Sequence, residues 1–529
     1  MTDAPWWKRG VVYQIYPRSF QDSNGDGIGD LPGIERRLDH LVRLGVDAVW
    51  LSPIFPSPMA DFGYDVADYT GIEPMFGTLD DFDRLLSAVH ERGLKLLLDF
   101  VPNHSSDRHP WFLESRASRD NPKRDWYIWR DPAPAKDGER GGPPNNWTSD
   151  FGGSSWEWDE ATGQYYLHAF LKEQPDLNWR NPELRAAMLD VLRFWFDRGV
   201  DGFRIDVLWH IVKAEGFPDN PLNPAWGPHL GERDRVFQVH STDQPEAHAI
   251  AADFRALADE YGARTGRERV LIGEIFLPFE QLARWYGTPE RPQVHLPFNF
   301  ALIENRWDAA VLRRVISEYE ASLPPWGWPN WVIGSHDARR IAARRGEAQA
   351  RVAAMLLLTL RGTPTVYQGD EIGIGKVAIP PDRIRDPREL REPGRGLNRD
   401  PSRTPMPWED SPQAGFTTAA ETWLPLNDDW PTRNVAAQER ELGSMLHLYR
   451  ALLALRRARP ALALGEVRLI EAAEGVLAYE RTFGDERLGV ALNLTAKARP
   501  LPFQGEALLS TLDGAADELR GNEGVVVQL

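Results

Sequence analysis

Cysteine is absent from the 529 residues. That excludes disulfides, thiolate metal sites and a thiol nucleophile, and it suits a reducing compartment. Long apolar runs are also missing. No stretch reaches the ~18 residues of a spanning helix, and residues 1–10 hold no apolar core of signal length. Positive charge is in deficit, with 61 Lys and Arg against 78 Asp and Glu, a net charge of −17. Such a surface repels phosphate backbones and anionic headgroups, so nucleic acid and membranes are poor partners and a neutral or cationic small molecule fits better. The expectation is a soluble, cytoplasmic protein of undetermined oligomeric state. What is abundant is aromatic: 21 Trp, 22 Phe and 13 Tyr. Most belong in cores, but the same rings make platforms for sugars.

Short apolar runs alternate with segments of helical period. Strands are expected at 11–16, 48–53, 95–101, 202–207, 270–275, 294–299, 331–335 and 363–368. Helices fall between them at 34–44, 79–92, 184–198, 247–261, 309–322 and 349–361. Gly93 and Gly199 stand where helix C-terminal glycines belong. Eight alternations favour an α/β (β/α)8 TIM barrel over an open sheet. A Trp-, Pro- and Gly-rich insert interrupts it after strand three, with a short strand at 164–170. Beyond 460 the texture turns to alternating strands at 466–470, 476–481, 487–494 and 525–529, a C-terminal antiparallel β domain. The expected division is a barrel from 1–103 and 177–457, an inserted domain over 104–176 and a β domain over 458–529.

In such barrels the chemistry sits at the C-terminal ends of the strands. Strand three ends Asp99 to His104 (DFVPNH), strand four holds Arg204 and Asp206 (GFRIDV), strand five ends Gly273-Glu274, and strand seven ends Ser335-His336-Asp337. Carboxylates, two histidines and an arginine therefore meet at one rim. Two carboxylates flanking a bond are what glycosidic cleavage requires. Arg204 is two residues before Asp206, on the same strand face, where its guanidinium would keep the aspartate ionised. Glu274 needs the opposite, a raised pKa that keeps its proton.

These four segments resemble the signature regions of the alpha-amylase family of glycoside hydrolases (family 13). Gln174 to Asn178 (QPDLN) resembles the extra signature of its oligo-1,6-glucosidase and alpha-glucosidase branch. The resemblance implies a retaining, exo-acting alpha-glucosidase on short oligosaccharides. Asp206 would be the nucleophile, Glu274 the general acid/base and Asp337 the transition-state stabiliser. Arg204, His104 and His336 would line the glucose subsite, with Phe151, Phe170 and Gln174 on its wall. Asp61 and Tyr64 would close its far end, Asp61 pairing with Arg399 or Arg403, of which Arg399 is favoured. Two departures stand out: Ser335 replaces the family's Asn, and Arg339 its common Pro, while Arg340 keeps the Arg.

Linkage stays open. Val207 after the nucleophile resembles alpha-1,6 enzymes, while Leu208-Trp209-His210 and the Pro-rich loop 217–228 resemble alpha-1,4-glucosidases, and maltose-type substrates are favoured. Transfer or trehalose synthase-like isomerisation is the alternative. A non-catalytic, transporter-associated barrel is disfavoured because the carboxylates are intact. Oxygen donors recur at every second position of the loop Asp22 to Asp30. That spacing suits Ca2+ or Mg2+, though Gly33 stands where a calcium hand places its bidentate Glu. In relatives this loop is a structural cation site, whose ligands match Asp22, Asn24, Asp26, Asp30 and the Ile28 carbonyl. No organic cofactor is implied.

Overall fold

The computed structural model describes residues 4–134, 139–227, 229–514 and 518–529. Eight parallel strands are β1 (Val12–Ile15), β2 (Ala48–Leu51), β3 (Lys95–Phe100), β7 (Gly202–Ile205), β8 (Val270–Gly273), β9 (Leu296–Pro297), β10 (Asn330–Val332) and β11 (Thr363–Tyr367). Their order is β10-β11-β1-β2-β3-β7-β8-β9, and a parallel bridge from Asn299 to Trp331 closes the ring. β4 (Trp129–Arg130), β5 (Trp156–Asp159) and β6 (Gln164–Leu167) form a small antiparallel sheet in the insert after β3. β12 (Glu466–Ile470), β13 (Val476–Phe483), β14 (Glu486–Asn493), β15 (Glu506–Ser510) and β16 (Gly524–Gln528) make a five-stranded antiparallel sheet.

The strands are buried on both faces, as a barrel ringed by helices demands, so they read as continuous apolar runs. The helices carry their own punctuation. Asp30 caps the helix Leu31–Leu44 by accepting from the Gly33 N–H, and Thr78 with Asp81 forms a capping box on Leu79–Glu91. Gly199 ends Pro182–Arg198 in the left-handed region, φ 105°. Gly202 opens β7 where a Cβ would stand 2.0 Å from the Val270 carbonyl oxygen, so only glycine allows that strand contact.

The strands end earlier than their apolar runs. β7 stops at Ile205 and β8 at Gly273, leaving Asp206 and Glu274 just beyond the ladder. β9 shrinks to two residues because Pro297 has no N–H to offer a neighbour. Sequence periodicity missed β4 and β5, β15, and the helix Met445–Ala458, which packs against the helices Leu31–Leu44 and Glu347–Thr359. Among the described residues no helix is long and apolar enough to cross a membrane.

Candidate active site

Arg204 is the hub. Its Nη1 lies 2.6 Å from Asp206 Oδ1 and 2.8 Å from Asp99 Oδ1, and its Nη2 lies 2.7 Å from Glu274 Oε2. Neighbouring strands supply all four: Asp99 from β3, Arg204 from β7, and Asp206 and Glu274 from the residues after β7 and β8. The Val207 N–H donates to the same Glu274 Oε2 at 2.9 Å. That contact is made from a left-handed backbone, φ 35°, which a β-branched residue adopts only under constraint.

Three buried carboxylates share one guanidinium, so they cannot all be ionised cheaply. Burial pushes Asp206 well up, with Arg204 opposing and Glu274 and Asp99 adding to the rise. Burial also raises Glu274, against the pull of Arg204. Asp99 is pushed to about 7, again mainly by burial. The upward push therefore belongs to the set rather than to one member.

Asp337 is in a different setting. Burial alone would raise it, but the His336 Nε2–H, 3.1 Å from its Oδ2, and the Arg399, Arg403 and Arg204 guanidiniums outweigh that and hold its carboxyl far below the usual range. Its Oδ1 lies 2.8 Å from Arg403 Nη2 and 3.2 Å from Arg399 Nη1. It is pushed toward the ionised form while Asp206 and Glu274 are pushed toward the protonated one.

His336 is clamped between rings, stacked on Tyr64 at 5.4 Å and 2° and on Tyr16 at 5.8 Å and 22°. The Gln14 amide donates to its Nδ1 at 2.8 Å, which assigns the proton to Nε2. Nε2–H then donates to the Tyr64 hydroxyl at 2.8 Å, and that hydroxyl donates to Asp99 Oδ2 at 3.1 Å. Burial and the surrounding guanidiniums push His336 down to about 3, so it is neutral. His104 is lowered to about 4 by burial; its ring lies 5.0 Å from Phe170 and its Nε2 contacts the Gln174 amide at 3.0 Å.

Asp206, Glu274, Asp337, Tyr64, His104, Phe170 and Gln174 line a cavity of 550 Å3 that also contacts Phe151, Trp209, Arg233, Phe276, Phe300 and Arg388, with Arg204 and His336 directly behind its wall. Its blind end is an ion-pair network. Arg399 Nη2 lies 2.8 Å from Asp61 Oδ1 and 2.7 Å from Asp386 Oδ1. Arg399 is thus the partner of Asp61, and Arg403 that of Asp337. At the mouth Phe276 stacks on Phe300 at 3.9 Å and 8°, with Phe276 partly exposed. The structure brings Asp61, Tyr64, His104, Phe170, Arg204, Asp206, Glu274, His336, Asp337 and Arg399 together.

Sequence reasoning missed Asp386, Gln14 and the mouth residues as site residues, and quoted Asp99 without giving it a role. The Asp386-Pro387 pair signals a helix N-cap, which it is; its second partner, 13 residues on, leaves no local trace.

The loop at 22–30 lies apart from this cavity. Asp22 accepts the N–H groups of Asn24, Gly25 and Gly27, Asn24 that of Asp26, and Asp26 that of Ile28. Gly27 makes the turn at φ 88°. Asp30 is occupied with Ser23 and with capping the following helix. Among the described residues no three His, Asp or Glu side chains converge as a metal site. The loop's donors also include an amide and a carbonyl, and a set of hard oxygens of this kind fits a hard cation.

The family model described as "Alpha amylase, catalytic domain" matches residues 14–465. The chain is 40% identical over 531 residues to a probable alpha-glucosidase of Rhizobium meliloti (strain 1021), covering 96% of this chain and 94% of that protein. It is 40% identical to an oligo-1,6-glucosidase of Parageobacillus thermoglucosidasius, covering 93% of this chain and 91% of that one. A crystal structure described as an alpha-glucosyl transfer enzyme superposes with a TM-score of 0.92 at 41% identity, over 99% of this chain and 100% of the other. With barrel, rim carboxylates and these relatives in agreement, the chain belongs to the alpha-amylase family of glycoside hydrolases.

Proposed function

We propose that the protein is a retaining alpha-glucosidase that removes glucose from the non-reducing end of short alpha-glucosides. The observation that carries this is the Asp206–Arg204–Glu274 arrangement in a cavity whose blind end is formed by Arg399 and Asp61. One guanidinium contacts both carboxylates, a spacing that supports direct attack by Asp206 rather than a water held between the two. Asp206 attacks the anomeric carbon while Glu274, through its proton, protonates the departing oxygen. Water activated by the deprotonated Glu274 then hydrolyses the glucosyl ester. Asp337, held ionised by Arg399 and Arg403, faces the sugar hydroxyls and the positive charge that develops on the ring.

The closed end supports exo action, because a chain extended at O4 or O6 would meet Asp61 and Arg399. The names of the relatives support both linkages, and maltose-type substrates remain the favoured reading. Glucose release from maltose and isomaltose at equal enzyme concentration tests it, with NMR following the anomer first formed. Faster maltose cleavage giving alpha-glucose is expected, and beta-glucose as first product would overturn the mechanism. Transfer is the second reading, favoured by the stacked Phe276–Phe300 pair at the mouth, which can hold an acceptor over the glucosyl ester. It predicts longer glucosides at high maltose.

Asp22, Asn24, Asp26, Asp30 and the Ile28 carbonyl would hold a Ca2+, or Mg2+, in a purely structural role. The alternating donors and the tight turn at Gly27 support this.

A further inference from the structure

A second cavity of 530 Å3 opens at the opposite end of the barrel. Val11 precedes β1 and Asp47 precedes β2, so it lies at the N-terminal ends of the strands, away from Asp206. Its charged lining is Arg9, Arg456, Arg457 and Asp47, and Leu453 and Leu464 are part of its apolar wall. Three guanidiniums against one carboxylate leave a local charge of +2 on a chain whose net charge is −17.

Of these arginines only Arg457 is in an ion pair among the described residues. Arg456 is buried, its Nη atoms donate only to backbone carbonyls, and its Nε has no partner. Arg457 donates to the Gly45 carbonyl at 2.9 Å and meets Asp47 at 3.4 Å, its side chain remaining 61% exposed. Asp47 is already engaged by the Val11 N–H at 2.9 Å. Arg9 is exposed and makes no ion pair among the described residues. Positive charge is thus left over at the cavity, with Arg9 and Arg457 as its exposed guanidiniums.

We propose that this cavity binds the phosphate monoester of a small organic molecule. A monoester near neutrality carries −1.5 to −2, about the charge the site lacks, whereas a carboxylate supplies half of it. Guanidiniums are the side chains best shaped for phosphate oxygens. The volume falls in the range of small-molecule sites and exceeds what bare phosphate fills, which would leave Leu453 and Leu464 uncovered. The site is independent of the glucosidase reading.

Calorimetric titration of the full chain with glucose 6-phosphate, inorganic phosphate and glucose tests it, in the wild type and in R9A/R457Q. Both replaced residues are exposed, and an unchanged melting temperature shows that the variant folds. The expected result is saturable binding of the ester, tighter than inorganic phosphate and weakened at least about tenfold in the variant. No saturable binding of glucose 6-phosphate, equal binding in the variant, or inorganic phosphate binding as tightly as the ester would each overturn the proposal.

Discussion

Arg204 sits between three carboxylates and neutralises only one charge, so each of them feels the other two. Asp99 contributes to the raised pKa of Asp206 by repulsion. Asp99→Asn removes that charge at nearly constant shape. The acid limb of kcat/KM should then move to lower pH by roughly half a unit to one unit. A pH profile checks it, and an unmoved limb would remove Asp99 from the electrostatics of the site. Glu274→Gln should abolish the alkaline limb and cut maltose turnover by about a thousandfold or more. It should cost far less on an aryl glucoside whose leaving group needs no proton. The strand-end motifs that place Arg204, Asp206, Glu274 and Asp337 were legible because each is local. What stayed hidden is relational: the sharing of Arg204 spans more than a hundred positions, and the left-handed Val207 has no sequence signature.

At the scale of elements, the blind end joins the segment after β2 to the one holding Arg399. Asp61→Ala should raise KM for maltose about ten- to a hundredfold through the lost charge-assisted bonds, with a smaller change in kcat. It should also improve longer maltooligosaccharides relative to maltose, which chromatography of products would reveal. The loop 22–30 makes its own prediction: saturating chelator should lower the melting temperature and added Ca2+ restore it. The helices and most strands were readable from caps and apolar runs. β9 was legible as a strand within 294–299 but not its shortness, because Pro297 removes the pairing that a longer strand needs, and of the insert's sheet only β6 was readable, β4 and β5 being masked by their polar and aromatic mixture.

For the whole molecule, pH stability turns on acids buried away from any substrate. Asp370 follows β11 with neither carboxyl oxygen bonded, and burial pushes it up to about 7. An acid whose folded pKa is raised stabilises the fold only while protonated. The unfolded chain ionises it near 4, so stability falls as pH rises from about 4 to about 7. Asp370→Asn should therefore be more stable than wild type at pH 8, by on the order of 1–3 kcal/mol, with the gap closing toward pH 4. Denaturant titrations at both pH values check this. The residues that line the active cavity also set the order in which the products leave it. With Arg399 and Asp61 barring the far side, glucose lies behind whatever group it was joined to. The aglycone must leave first and free glucose last, so glucose competes with incoming substrate for the vacated enzyme, and the order of departure is set by architecture before any rate constant is.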